Sequence, residues 1–360
     1  MNKTDIAALR MYNEQLSIHS YKKPEDIVRL LLAVQSQDFA GARWGLGQRL
    51  KNITDDDIEQ AFTEGSILRT HVMRPTWHFV LPEDIRWLLS LTAPRVKKLM
   101  TYYDRILELD EKVFRKTQNA FAKALSGKKY LTRLELAHSL EKIGIKVKSQ
   151  RLGHIVMQAE LDHVICSGPR RGKQFTYALL SERAPKAKML QHDEALATLV
   201  LRYFTGHGPA QIADFCWWSG LTFADAKAGI EMNQPHIIPE VVEDKIFWFT
   251  KIKKKAPDVS NTTFLLPNYD EYLIAYRDQS VAFDPKYAGK LNPRGNIFSH
   301  FIILGGKLMG TWRREIKKEK VIVKLHPFEK LTSNQKEALE KEAERYGEFL
   351  GLPVIFQEGF

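Results

Sequence analysis

The chain predicts an α+β fold, mainly helical, in which helix-turn-helix units recur, each followed by a β-hairpin, and a smaller α+β module closes the sequence. Two observations predict this. Apolar residues at helical spacing give way three times, at intervals of roughly 70–100 residues, to pairs of short strand-like runs joined by turn residues, the outline of a winged helix. The remainder of the chain departs from that outline and carries a two-residue Gly305-Gly306 turn between two further runs.

In the first unit, assigned to residues 1–105, a short helix covers 6–12. A second helix opens at Pro24, a residue suited to a first helical turn, with Ile27, Leu30, Leu31 and Val34 on one face. Thr54 and Asp57 start a further helix that Gly65 stops. Runs at 67–72 and 76–81, separated by Met73-Arg74-Pro75, form a hairpin. Pro82-Glu83-Asp84 opens a helix that Pro94 interrupts, and beyond it Arg95, Lys97, Lys98 and Arg105 accompany Tyr102 and Tyr103.

The second unit, 106–186, repeats the outline. Thr132 and Glu135 make a capping box, Gly144 turns the chain, and Ser149 opens a helix to Leu161 bearing Gln150, Arg151, His154 and Gln158. Runs at 163–166 and 174–179 flank a Gly/Pro loop carrying Arg170, Arg171 and Lys173. Such a tip suits a phosphate backbone or a minor groove, or else it is a solvated tip that keeps an edge soluble. The third unit, 187–257, has helices near 193–203, up to Ser219, and from Thr222 to Met232. Its hairpin strands at 237–242 and 245–249 are extended by Lys251, Lys253, Lys254 and Lys255. The module at 258–360 holds strands at 300–304, 307–312 and 320–325 and an amphipathic helix over 333–346.

The 360 residues are 44% hydrophobic and 27% charged, a globular profile and not a disordered one. A formal net charge of +11 and a pI near 9.4 point to a polyanionic partner, nucleic acid or an acidic membrane surface. Cys166 and Cys216 form neither a ligand cluster nor a disulfide framework, which suits a reducing compartment. With no signal-like N-terminus and no run of about 18 apolar residues, the expectation is a cytoplasmic, nucleoid-associated protein without membrane partners.

Chemistry has few places to reside. His71 and His78 lie on facing strands without a neighbouring Cys or carboxylate to close a metal set. A phosphate loop, a dinucleotide fingerprint and a serine-hydrolase elbow are all missing from the sequence. Asp270 and Glu271 suit general acid/base work, or they are strand-end carboxylates bonded to Arg277. The remaining candidates are uncharged: Gln35 and Gln37, in Leu31-Leu32-Ala33-Val34-Gln35-Ser36-Gln37-Asp38-Phe39. If the helix ends before them, both amides share one space; if it continues, they stand about 200° apart.

Six blocks in order carry a family resemblance. They are Val34-Gln35-Ser36-Gln37, residues 69–78 (Arg69 to His78), Arg202-Tyr203-Phe204 with His207-Gly208-Pro209, residues 214–220, residues 266–270, and Gly310-Thr311-Trp312-Arg313. Together they resemble the winged-helix alkylpurine DNA glycosylase family, the AlkZ-like proteins. The resemblance implies tandem winged helices forming a C-shaped concavity that holds duplex DNA. It also implies hydrolysis of the N-glycosidic bond of alkylated purines without metal or cofactor. Gln35 and Gln37 match the family's Gln-x-Gln signature, with Ser36 where an aliphatic residue is common, and Thr76 and His78 match a Thr-x-His pair.

The chemistry suits neutral amides. A purine alkylated at N7 or N3 is cationic and leaves without a general acid, so what remains is an oxocarbenium-like sugar and a positioned water. The candidate catalytic residues are therefore Gln35, Gln37 and His78, with Asp38 adjacent. The candidate DNA contacts are Arg43, Trp44, Arg74, Trp77, Arg151, Arg170, Arg171, Lys173 and Arg313. Three repeats in one polypeptide favour a monomer clasping one duplex between the first and third repeats. The alternatives are a non-catalytic winged-helix regulator and a protein-binding scaffold.

Overall fold

A computed structural model describes residues 1–148, 150–251, 257–291 and 299–358. Ser149 and the cluster Lys253, Lys254 and Lys255 lie outside the described residues.

The first segment runs α1 (Lys3–Asn13), α2 (Pro24–Leu31), β1 (Val34–Gln35), α3 (Phe39–Gly47), α4 (Asp55–Glu64), β2 (Leu68–Val72), β3 (Arg74–Val80) and α5 (Ile85–Ile106). The expected helical face through Val34 is corrected here. The chain leaves α2 through a γ-turn in which Leu32 takes φ 69° and Ala33 N–H reaches Leu31 O at 2.8 Å. Val34 and Gln35 thereby become a short strand on β3, with Gln35 opposite His78. Pro94 does not interrupt α5. Pro94 and Ser90 are both exposed, so the carbonyl that loses its donor faces water.

The second segment runs α6 (Glu111–Leu125), β4 (Leu131–Thr132), α7 (Arg133–Glu141), α8 (Arg151–Leu161), β5 (Ile165–Ser167), β6 (Thr176–Leu179) and α9 (Leu180–Arg183). The third runs α10 (His192–Gly206), α11 (Ile212–Ser219), α12 (Phe223–Met232), β7 (Ile237–Val242) and β8 (Lys245–Thr250). One topology recurs: a short strand, helices, then a hairpin whose second strand takes the short strand back. The sheet orders are β1-β3-β2 and β4-β6-β5, and in the third segment Ala210 alone bridges Trp248 of β8.

The C-terminal module holds β9 (Thr263–Leu266), α13 (Glu271–Ile274), β10 (His300–Leu304), β11 (Lys307–Ile316), β12 (Val321–Pro327), α14 (Ser333–Leu350) and β13 (Val354–Glu358). Its five strands are ordered β13-β12-β11-β10-β9, and β13, which no sequence pattern announced, adds parallel to β12.

The cores place the first segment at the centre. Leu68, Trp87 and Leu88 pack with Leu199, Phe204 and Trp218 of the third, while Phe39 and Trp44 pack with Leu265, Trp312 and Tyr346 of the C-terminal module. The second segment keeps its own core around Phe121, Leu136, Ile155 and Ile165. Gly220 shows how close the first junction is. It caps α11 at φ 74°, and a Cβ there would stand 2.5 Å from Met73 O at the β2–β3 turn.

Candidate active site

Gln35 is 5% exposed and is held from both ends. Its backbone N–H donates to Glu271 Oε1 at 2.9 Å, and its side-chain Oε1 accepts from Arg74 Nη2 at 2.9 Å. A guanidinium only donates, so this bond fixes the amide with its oxygen toward Arg74 and its NH2 away. Glu271 is buried, and its other oxygen accepts the Trp218 indole N–H at 2.9 Å with His207 Nε2 at 3.4 Å. His207 stacks on Tyr203 with ring centroids 4.9 Å apart. The resemblance blocks at 202–209, 214–220 and 266–270, with Glu271 just beyond the last, thus converge behind one glutamine. The expected bond from Asp270 or Glu271 to Arg277 is corrected: Arg277 is exposed, and Asp270 instead pairs with buried Arg49.

Gln37 lies two residues on and is exposed. The helix has already ended, so the two amides are not splayed around a helix axis. Gln37 Oε1 accepts the Trp77 backbone N–H at 3.4 Å, one residue from His78. It lines a cleft of about 440 Å³ together with His71, Trp77, Met100, Gln150 and His154. Second-segment residues form one wall of this cleft, so the hollow at Gln37 lies between the first and second segments. The third segment approaches from the Gln35 side through Trp218.

His78 sits on β3 directly opposite Gln35 and is fully buried. Its Nδ1–H donates to Thr76 O at 3.0 Å, which leaves Nε2 as a buried lone pair with no partner among the described residues. Burial first, and then the Arg74 charge, hold the imidazole well below its ordinary pKa, so it is neutral near pH 7. Asp38 has other duties. One oxygen caps α3 by accepting Gly41 N–H at 3.0 Å, and the other takes Arg314 Nη2 at 2.9 Å.

Of the expected DNA contacts, Trp44 is corrected by its burial, and most of the arginines have partners within the chain. Trp44 is 1% exposed, its indole N–H on Leu265 O and its ring against Tyr346 and Phe349, because its helix face turns to the C-terminal module. Arg43 pairs with Asp55 and Glu59, and Arg170 with the same Glu59 at 2.8 Å; both guanidiniums lie over Phe39. Arg151 donates to the Leu107 and Glu108 carbonyls at the end of α5. Arg171 is exposed but holds Glu135 and Tyr130 O, each at 2.8 Å. Lys173 and Arg313 are exposed, and Arg313 of β11 stands across from Lys324 of β12. Arg74 is half-buried beside Gln35, and Trp77 is half-buried under the Arg69 guanidinium, 4.3 Å from its ring centroid.

These partners set an expectation for the loop at 167–173. Three phosphate contacts would flatten the log K against log salt slope by roughly 2 to 3 units on their loss. Arg170 and Arg171 already hold carboxylates, so replacing Arg170, Arg171 and Lys173 by Ala is expected to remove about 1 unit, carried by Lys173. Salt titrations of duplex binding measure this, and an unchanged slope removes the loop from the DNA surface.

His71 and Glu160 went unassigned from sequence. Glu160 lies on α8, 89 residues along the chain, and meets the His71 imidazole at Nδ1. Among the described residues no three His, Cys, Asp or Glu side chains gather as a metal set, and no helix is long and apolar enough to cross a membrane.

Comparison with known proteins places this arrangement. The chain matches a solved structure, the DNA glycosylase AlkZ of Streptomyces sahachiroi, with a TM-score of 0.82 at 22% identity over 99% of each chain, a shared fold. It is 26% identical over 97% of both chains to a protein from the same organism described as an interstrand DNA cross-link repair glycosylase. The fold is thus that of a DNA glycosylase. A family model described as DNA glycosylase AlkZ-like matches residues 28–349, and the chain belongs to that family.

Proposed function

We propose that this protein hydrolyses the N-glycosidic bond of alkylated, cationic purines in duplex DNA, acting as a monomer without metal or cofactor. The observation that carries this is the placement of two amides at one strand end: Gln35 clamped by Arg74 and Glu271, and Gln37 exposed in a cleft beside it. An amide oxygen keeps a second lone pair after one hydrogen bond. It can accept from an attacking water and set its negative end toward the developing sugar cation. The cationic purine takes the bonding electrons and departs neutral, so no acid is required.

The repeated strand–helices–hairpin topology supports reading residues 1–105, 106–186 and 187–257 as tandem winged helices around a C-shaped concavity, with 258–360 as a separate module. The net charge of +11 supports duplex DNA as the partner. Interstrand cross-links, named for the relative, are a second substrate class to assay.

The test is incubation with duplex DNA carrying N7-methylguanine, followed by detection of released base. Release without added metal is the expected result. Tight, salt-dependent binding with no release would replace this proposal by a non-catalytic DNA-binding role, and a dimer on paired half-sites would favour a regulator.

A further inference from the structure

The cleft that Gln37 lines holds a second feature, a buried carboxylate–imidazole pair. His71 on β2 meets Glu160 Oε2 of α8 through Nδ1; the His71 side chain is 9% exposed and that of Glu160 1%. The Glu160 carboxylate accepts at Nδ1, so the Nδ1–H tautomer is fixed and Nε2 is left with its lone pair. Nε2 is not among the buried atoms without a partner, in contrast to Nε2 of His78, and the exposed edge of His71 opens on the cleft. The ring lies against the Trp77 indole, centroids 4.4 Å apart, and the Trp77 backbone N–H is the donor that holds Gln37. A carboxylate that orients an imidazole, whose far nitrogen faces a polar hollow, is the arrangement of a general base.

We propose that His71, held by Glu160, is the base that takes a proton from the attacking water, while Gln37 accepts that water's other hydrogen. This rests on the glycosylase reading above. The water oxygen bonds to C1′ of the deoxyribose, and the bond from C1′ to the purine nitrogen breaks with its electron pair going to the cationic base. The water proton goes to His71 Nε2, and Glu160 stabilises the imidazolium. His78 does not fill this role, because its free nitrogen is sealed in the interior. Other charged or titratable groups around the pair are Arg69 on the same strand, His78 on β3, Cys166 on β5, Tyr177 on β6 and Arg133 on α7. His154 of α8 also faces the cleft, with Asp104 of α5 at 2.7 Å from its Nδ1.

The experiment measures single-turnover excision of N7-methylguanine from pH 5.5 to 8.5 for the wild type, His71→Gln, Glu160→Gln, Glu160→Asp and His154→Gln, with melting temperatures alongside. Loss of His71 is expected to slow excision about 100-fold or more and to abolish the rise in rate with pH. Glu160→Gln is expected to slow excision as well, because the imidazole loses the carboxylate that orients it, and Glu160→Asp to restore part of the rate. A slower rate that keeps its pH limb, or loss of the limb in His154→Gln alone, overturns the proposal. A second measurement separates it from the glycosylase reading. Duplexes carrying a cationic pyrrolidine abasic analogue or a neutral tetrahydrofuran one are bound by the wild type, His71→Gln and Glu160→Gln. A wild-type preference for the cation that both variants lose supports the pair even if no base is released. No preference overturns it even if excision proceeds.

Discussion

Truncating Gln35 or Gln37 to Ala is expected to slow release of N7-methylguanine by roughly 10- to 1000-fold while leaving duplex affinity nearly intact. The affinity expectation follows from charge: binding to a polyanion is carried by cations meeting phosphates, and a neutral amide adds little. The two variants differ in what they disturb. Gln37 is exposed, so its loss leaves the fold untouched. Gln35→Ala removes the acceptor of Arg74 and leaves that half-buried guanidinium one partner short, so a small loss of stability accompanies the loss of rate. Gln37→Glu is the sharper test. A carboxylate still accepts from water and favours a sugar cation more strongly, so activity is expected to persist or rise. Asp38→Asn is expected to matter less than either alanine change, because Asn also caps a helix and only the Arg314 pair is weakened. Quench-flow rates and filter-binding affinities on one lesion duplex decide the matter. Wild-type rates in both alanine variants with an inactive Asp38→Asn would move the active residue to Asp38.

Local chemistry was legible where the signals are local. Thr54, Thr132 and Thr222 each cap a helix with the acidic residue three positions on, and the helices and hairpins follow as expected. The end of α2 was illegible because Leu31-Leu32-Ala33-Val34 contains no Gly, Pro or Asn. Only the tertiary pull of β3 on Val34 and Gln35 explains the turn at Leu32. The amides were legible as residues and not as a strand. Partners of buried charges were legible least. Arg49 meets Asp270 across 221 residues, and His71 meets Glu160 across 89. Basic residues near aromatics, such as Arg43 and Arg170 around Phe39, looked like a nucleic-acid surface, yet both are engaged by Glu59. A charge count cannot tell a free cation from a paired one.

Behind the site, Arg49→Met is expected to destabilise the fold on the order of 3 to 5 kcal/mol. Arg49 is 2% exposed and bridges two buried carboxylates: Nη2 meets Glu14 at 2.8 Å, and both terminal nitrogens grip Asp270 at 2.8 and 2.9 Å. Glu14 in turn accepts from Tyr276, whose hydroxyl also reaches the His207 carbonyl. The guanidinium therefore ties α1, α3 and α13 together beneath Glu271 and Gln35. Met fills most of the volume but leaves Glu14 and Asp270 facing each other without a cation, and the cost of breaking such a group comes from the charges left behind. The pH dependence identifies that cause. Burial already raises Glu14 to about 7 with Arg49 present. A carboxyl raised in the folded state favours folding at low pH and loses that contribution as pH rises through its folded pKa. Removing Arg49 raises it further, so the gap between variant and wild type is expected to be largest above pH 7 and to narrow toward pH 5, where Glu14 is protonated in both. Urea unfolding at pH 5, 6, 7 and 8 measures the gap, and a gap that is constant with pH would assign the loss to packing instead of to stranded carboxylates.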